Sequence, residues 1–158
     1  MFCNVVELWL GIQFTMLGKE YIMIKLDKSM EVGVKLIDDQ HKELISRINA
    51  FVGMGVKSYS PEETRKMLDS LGSYIRKHFS DEQNIHVSTK YAEADWHRGQ
   101  HALYIKEFEE LYKEYNDNGI STAFTLKMTN SIIGWIVKHI KSADVQFGKY
   151  HKSHEGKG

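Results

Sequence analysis

Apolar and histidine positions recur along this chain in alternating steps of four and three, the spacing that lines up side chains on one face of an α-helix. A first stretch begins near Asp38, which reads as an N-cap, and carries Ile37, His41, Leu44, Ile48 and Phe51 before Gly53 and Gly55 end it. A second opens on Ser60-Pro61-Glu62-Glu63. Ser at the cap, Pro at the first helical position and Glu at the third make a capping box. Its seam is Met67, Leu71, Tyr74, His78, Glu82 and Ile85. A third starts near Ala92, carries His97, His101, Tyr104, Phe108, Leu111 and Tyr115, and breaks at Asn116-Asp117-Asn118-Gly119. A fourth runs from about Ser121 through Phe124, Met128, Ile132, Trp135, His139 and Ala143. No run alternates with period two over a useful length. The pattern predicts an all-α fold, an antiparallel up-down-up-down four-helix bundle.

Composition supports this reading and narrows the function. A chain of 158 residues makes one domain with a single core, and one proline in the whole sequence, Pro61, suits long helices. Lys plus Arg and Asp plus Glu both number 21, so the cationic field of a nucleic-acid binder is missing. The lone cysteine, Cys3, excludes an intrachain disulfide and fits a reducing, cytoplasmic location. The apolar N-terminal segment holds no uncharged run longer than residues 8–18, far short of the roughly 20 residues a membrane span needs. It also lacks the basic start and cleavage pattern of a signal peptide. It reads as a packing arm, or as the product of an early start with Met23 as the true beginning.

Chemistry enters through the seams. His41 lies in the first, His78 in the second, His97 and His101 in the third and His139 in the fourth. Glu82 follows His78 by four residues and shares its face; Asp144 follows His139 by five. Five imidazoles and two carboxylates in one small core would cost several kcal/mol per unpaired ionised carboxylate, on the order of the domain's whole stability. A metal cluster removes that cost. With no thiolate in the set, iron–sulfur and Cys-zinc sites are excluded, and seven donors exceed the needs of one tetrahedral zinc. They suit two octahedral ions bridged by both carboxylates, as in helix-bundle di-iron sites. His97, His101 and His139 then serve one ion, His41 and His78 the other. With a bridging oxide or hydroxide added, the second ion keeps one open position, a site for a small diatomic ligand. The five-residue step to Asp144 is awkward, because it leaves that side chain about 140° round a regular helix from His139. A one-residue π-bulge would align the two, and so would a bridging carboxylate lying beside the seam.

These residues resemble the hemerythrins. Val32-Gly33-Val34-Lys35-Leu36-Ile37-Asp38-Asp39-Gln40-His41-Lys42-Glu43-Leu44 is similar to the entry of that family's first helix. His78-Phe79-x-x-Glu82, His97-x3-His101 and Trp135-Ile136-x2-His139-Ile140-x3-Asp144 follow in the family's order. The resemblance covers about residues 24–150 and all seven ligands, and a neutral, single-domain chain is similar to bacterial hemerythrins rather than to the sensor domain of a larger receptor. Residues 1–23 are then an N-terminal extension, 24–150 the hemerythrin-like domain, and 151–158 a solvated tail carrying His151 and His154.

The resemblance implies two iron ions with an oxo or hydroxo bridge and reversible O2 binding, for carriage, storage or delivery. By family position Leu44, Phe79, Trp135, Ile136 and Ile140 line the O2 pocket, although each is equally suited to core packing. Two departures stand out. Leu26 occupies a place where the family commonly has Trp. His86, one turn beyond Glu82 where the family usually has Met, either ends the second helix in solvent or joins the O2 pocket as hydrogen-bond donor, ligand or proton source. The expected partner is O2 or another small diatomic, with no nucleic acid and no stable membrane insertion; no protein partner is legible. An enzyme reducing peroxide or nitric oxide, or a sensor acting through a partner protein, could use the same set. Di-iron oxygen-activating enzymes place four carboxylates on their ions, and the His-rich set here favours binding over turnover.

Overall fold

The computed structural model describes residues 24–53 and 60–154. The N-terminal extension over 1–23, Gly55 and the end of the tail, 155–158, lie outside them. After a short 3-10 turn (Lys28–Met30) come four long helices, α1 (Lys35–Gly53), α2 (Pro61–Ser88), α3 (Ala94–Asn118) and α4 (Thr122–His139). α1 packs on α2, α2 on α3, α3 on α4 and α4 back on α1, closing the four-helix bundle that the periodicity predicts. Past His139 the chain runs without a loop through a π-helical turn (Ile140–Asp144) into α5 (Val145–His154). Among the described residues there is no strand, and no helix is long and apolar enough to cross a membrane.

The helix ends follow their local chemistry. The Ser60 hydroxyl accepts from the Glu63 N–H at 3.2 Å, and the Ser60 N–H donates to the Glu63 carboxylate at 2.8 Å, which is the predicted capping box. Ser121 caps α4 by accepting from the Phe124 N–H. α1 starts at Lys35, three residues before the predicted cap. The Asp38 carboxylate instead reaches back from the first turn and accepts the N–H groups of Val32 and Gly33 at 2.8 and 3.0 Å. Gly33 sits at φ +85°, the left-handed turn that brings the chain onto the helix. α3 starts at Ala94 rather than Ala92, after Lys90 reverses the chain at φ +56°. His151 and His154 lie in the last turn of α5, His151 half-buried near Phe147 and His154 exposed with its ring on Tyr150.

Two apolar clusters flank a polar layer. The larger includes Leu44, Ile48, Phe51, Leu71, Phe79, Tyr104, Phe108, Met128 and Ile136; the smaller is Val32, Ile37, Tyr91 and Phe147. On α2 the buried stripe is Leu68, Leu71, Ile75, His78, Phe79, Glu82 and His86, whereas Met67, Tyr74 and Ile85 are half-buried on its flank. The buried face of α2 is thus centred beside part of the predicted seam, on Leu68, Ile75, Phe79 and His86.

Gly148 joins α5 to the chain entering α1. A Cβ there would lie 1.9 Å from the Val32 carbonyl oxygen, and that carbonyl is backbone and cannot swing aside. Gly148→Ala is therefore expected to destabilise the protein by about 1–3 kcal/mol, the usual range for overpacking. An unchanged urea midpoint would show that the two segments do not meet in solution.

Candidate metal centre

Ten polar or charged side chains are buried among the described residues. Seven are the predicted His, Glu and Asp ligands, and an eighth is His86. α1 brings in His41, α2 His78 and Glu82, α3 His97 and His101, and α4 with its π-turn His139 and Asp144. They fall into two groups whose donor atoms lie within metal-binding reach of one another: Glu82, His97, His101, His139 and Asp144 in one, and His41, His78 and Asp144 in the other. The split of the imidazoles is the one read from the sequence.

The π-turn resolves the Asp144 spacing. It inserts one residue into the helical turn, so the fifth residue after His139 comes round to the same side. Asp144 Oδ1 lies 3.0 Å from His139 Nε2 and 3.1 Å from His97 Nε2, while Oδ2 lies 3.1 Å from His41 Nε2. One carboxylate thus faces both groups. Glu82 differs from the expectation of two symmetric bridges. Its Oε2 faces His101 and His97 at 3.3 and 3.7 Å, while Oε1 turns towards His86.

The donors converge with nothing of their own to bind. His97 Nε2 and His101 Nε2 approach His139 Nε2 at 2.8 and 2.9 Å. Both oxygens of Glu82 and of Asp144 and both nitrogens of His41 are buried without a hydrogen-bond partner. Cations between them satisfy the carboxylate oxygens and His41 Nε2 together, so the residues fit the metal pair that the sequence implies. The electrostatics agree. Burial, then the Asp144 charge, pushes the Glu82 carboxyl well above the usual carboxylate range. Burial would raise Asp144 too, but His139, His41 and His97 outweigh it and hold that carboxyl well below its usual range. Burial and the neighbouring His41 lower His78 to about 3, and burial with His139 and His97 lowers His101 strongly.

A supporting residue was not singled out in the sequence. Gln40 Oε1 lies 3.0 Å from His78 Nδ1, and its amide donates to Asp81 at 2.6 Å, which Lys77 also holds. His78 Nδ1–H donating to Gln40 leaves Nε2 free for a metal and fixes the ring. The only signal was a polar residue beside a ligand on α1, one turn ahead of the Leu44 core position. An apolar wall stands on the other side. Phe79 stacks on His101 at 3.7 Å and 4°, and Trp135 stacks on His139 at 4.2 Å and 14°. Leu44, Ile136 and Ile140 are buried in the same cluster. Leu26 borders a pocket of about 450 Å³ that extends between Asp27, Met30 and Asp38 to His41.

His86 is neither solvated nor among the pocket residues with which it was grouped. It is fully buried, with its ring 4.5 Å from His97, 5.2 Å from Tyr91 and 4.2 Å from Phe147. It lies seven residues beyond Phe79, about 10 Å further along the straight helix, and so packs in the smaller apolar cluster instead of against Phe79 and Trp135. Burial and His97 lower it to about 4.

These shifts set a pH dependence for the metal-free protein. His78, His86 and His101 stay neutral when folded, whereas in the unfolded chain they take up protons below about pH 6.5. Each therefore costs stability as pH falls. Glu82 acts in the opposite sense, because it keeps a proton when folded that the unfolded chain gives up above about pH 4.5. Between about pH 6 and 5 three groups oppose one, and the metal-free protein should lose roughly 3 kcal/mol per pH unit on acidification. Urea midpoints at pH 7, 6 and 5 after chelation check the slope; a rise in stability towards pH 5 would contradict it.

Comparisons with known proteins agree with the centre. Residues 32–149 match the family described as the Hemerythrin HHE cation binding domain. A myohemerythrin of Sipunculus nudus is 27% identical over 121 residues, 77% of this chain and 88% of the relative. A bacteriohemerythrin of Campylobacter jejuni is 26% identical over 126 residues, 80% of this chain and 93% of the relative. One of Clostridium acetobutylicum is 24% identical over 120 residues, 74% and 92% of the two chains. In fold the chain is similar to the crystal structure of wild-type hemerythrin, with a TM-score of 0.72 at 23% identity, covering 80% of this chain and 96% of that one. The cofactor of this family is a di-iron centre, and five imidazoles with two carboxylates in a buried cluster suit it. Matched over most of its length and carrying a buried His, Glu and Asp cluster suited to metal at the centre of a four-helix bundle, this chain belongs to the hemerythrin family.

Proposed function

We propose that this protein binds O2 reversibly, as a carrier, store or deliverer, and that it acts in the cytoplasm. The observation that carries the reading is the unequal division of donors, five side chains in one group and three in the other, with Asp144 shared. The poorer group, His41, His78 and Asp144, leaves room for a small ligand that the richer one does not. When bound, the iron pair supplies the electrons that reversible O2 binding takes up. The chain's own residues do the rest. Gln40 holds the His78 ring, and Asp144 keeps the two groups in register. Phe79, Trp135, Ile136, Ile140 and Leu44 form an apolar surround that excludes water and protons and so slows loss of the bound ligand. His41 of the three-donor group also lines the pocket bordered by Leu26 and Met30. The same donor count argues against a peroxide- or nitric-oxide-reducing enzyme, because two carboxylates leave the ions less electron-rich than the four of oxygen-activating sites.

Stopped-flow mixing of the anaerobically reduced protein with O2 tests this. The expected result is a long-lived oxygenated spectrum that reverts when O2 is removed. Direct conversion to the oxidised protein, with no reversible species, would overturn it in favour of turnover or sensing.

A further inference from the structure

We propose that His86 is a positioning residue of the metal centre: its Nε2–H donates to Oε1 of Glu82 and so orients that carboxylate. The inference rests on the reading of the cluster as a metal site. Its observations are specific to this chain. His86 and Glu82 are both fully buried, one helical turn apart on α2, and His86 Nε2 lies 3.7 Å from Glu82 Oε1. Neither His86 nitrogen and neither Glu82 oxygen has a hydrogen-bond partner. A buried polar side chain with two idle nitrogens is costly, and Glu82 Oε1, 3.7 Å away, is an acceptor without another partner.

The geometry also explains the asymmetry of the two carboxylates. Asp144 spreads its oxygens over both groups, whereas Glu82 directs Oε2 to the His97 and His101 side and Oε1 towards His86. A carboxylate oxygen that holds a metal through one lone pair accepts a hydrogen bond through the other. Closing 3.7 Å to ordinary hydrogen-bond length takes a shift of under about 1 Å. His86 cannot leave for solvent, because Tyr91, Phe147 and His97 enclose its ring. Donation to Glu82 draws negative charge away from the ions. It therefore favours the reduced metal pair and raises the reduction potential. It also fixes the carboxylate rotamer and so slows metal release.

The test compares wild type with His86→Met, His86→Leu and His86→Gln, each loaded with iron. Met and Leu fill the site at two different volumes without a donor, and Gln returns an N–H near the Nε2 position. The readouts are iron per chain, the rate of iron release to a chelator, and the reduction potential by spectroelectrochemistry. In Met and Leu, release is expected to quicken by about 10- to 100-fold, the usual range for losing such a supporting contact, and the potential to fall. Gln is expected to restore both most of the way. Release and potential unchanged in Met and Leu overturn the inference, and so does a Gln variant that behaves like Leu. Wild-type protein that takes up no iron overturns the metal reading itself and the inference with it, an outcome distinct from the other two.

Discussion

Replacing Asp144 by Ala is expected to strip both metal ions from the protein. Asp144 is the one carboxylate that faces both groups, with Oδ2 3.1 Å from His41 Nε2 and Oδ1 3.1 and 3.0 Å from His97 and His139 Nε2. Removing it takes from the His41–His78 group its only negative donor and from the other group its shortest carboxylate contact. Each ion bound only by the folded state stabilises it by about 4 kcal/mol when free metal stands at a thousandfold its Kd. Two ions then contribute on the order of 8 kcal/mol, and their loss lowers Tm by roughly 15–30 °C in a chain of this size. The measurement pairs metal analysis with thermal melts of wild type and variant, with and without a chelator. The wild type should fall under chelation to near the variant's Tm, and the variant should not respond. A variant that kept two ions would show that Glu82 and the imidazoles suffice, and that the position of Asp144 between the groups is incidental.

That position also marks where sequence reasoning stopped. The five histidines and Glu82 stood out because each sits where a step of three or four places a core residue, and polar residues at core positions need a reason. The bundle was legible because its four stretches share one period and short breaks. Whether Asp144 came round through a π-turn or lay beside the seam was not. The backbone of Ile140–Asp144 decides it, and no residue type in Ile140-Lys141-Ser142-Ala143-Asp144 distinguishes five residues per turn from four. The sequence leaves His86 open between a helix end in solvent and a place in the O2 pocket. Four residues after Glu82 it shares the inward face, but only the full length of α2 shows that this face is still covered at His86. Gln40 was hidden by its partners: its role depends on His78 and Asp81, which lie some forty residues away on another helix. Long-range pairings of this kind leave no local pattern. The late start of α3 and the early start of α1 come from single backbone turns at Lys90 and Gly33, which periodicity does not register.

Phe79→Ala should produce two separable losses. The ring is buried, stacked face to face on His101 at 3.7 Å, and edge-on to Tyr104 and Trp135 at 5.9 Å. It also neighbours His78 at 5.6 Å and His139 at 6.4 Å, so it braces imidazoles of both groups. Truncating a buried Phe costs about 3–5 kcal/mol through lost apolar burial and the cavity left behind. The metal-free protein should show that cost in its urea midpoint, since no ion is needed for it. The second loss rests on the proposed O2 binding. With the ring gone, water reaches the His78 side of the cluster, and the oxygenated form should decay at least about tenfold faster, the scale on which residues supporting a metal site act. Phe79→Leu separates the two. Leucine keeps an apolar wall but loses the stack, so it should recover most of the lifetime while remaining less stable than wild type. If the alanine variant shows the stability loss but an unchanged lifetime, Phe79 is a packing residue and the barrier to water lies with Trp135 and Ile140.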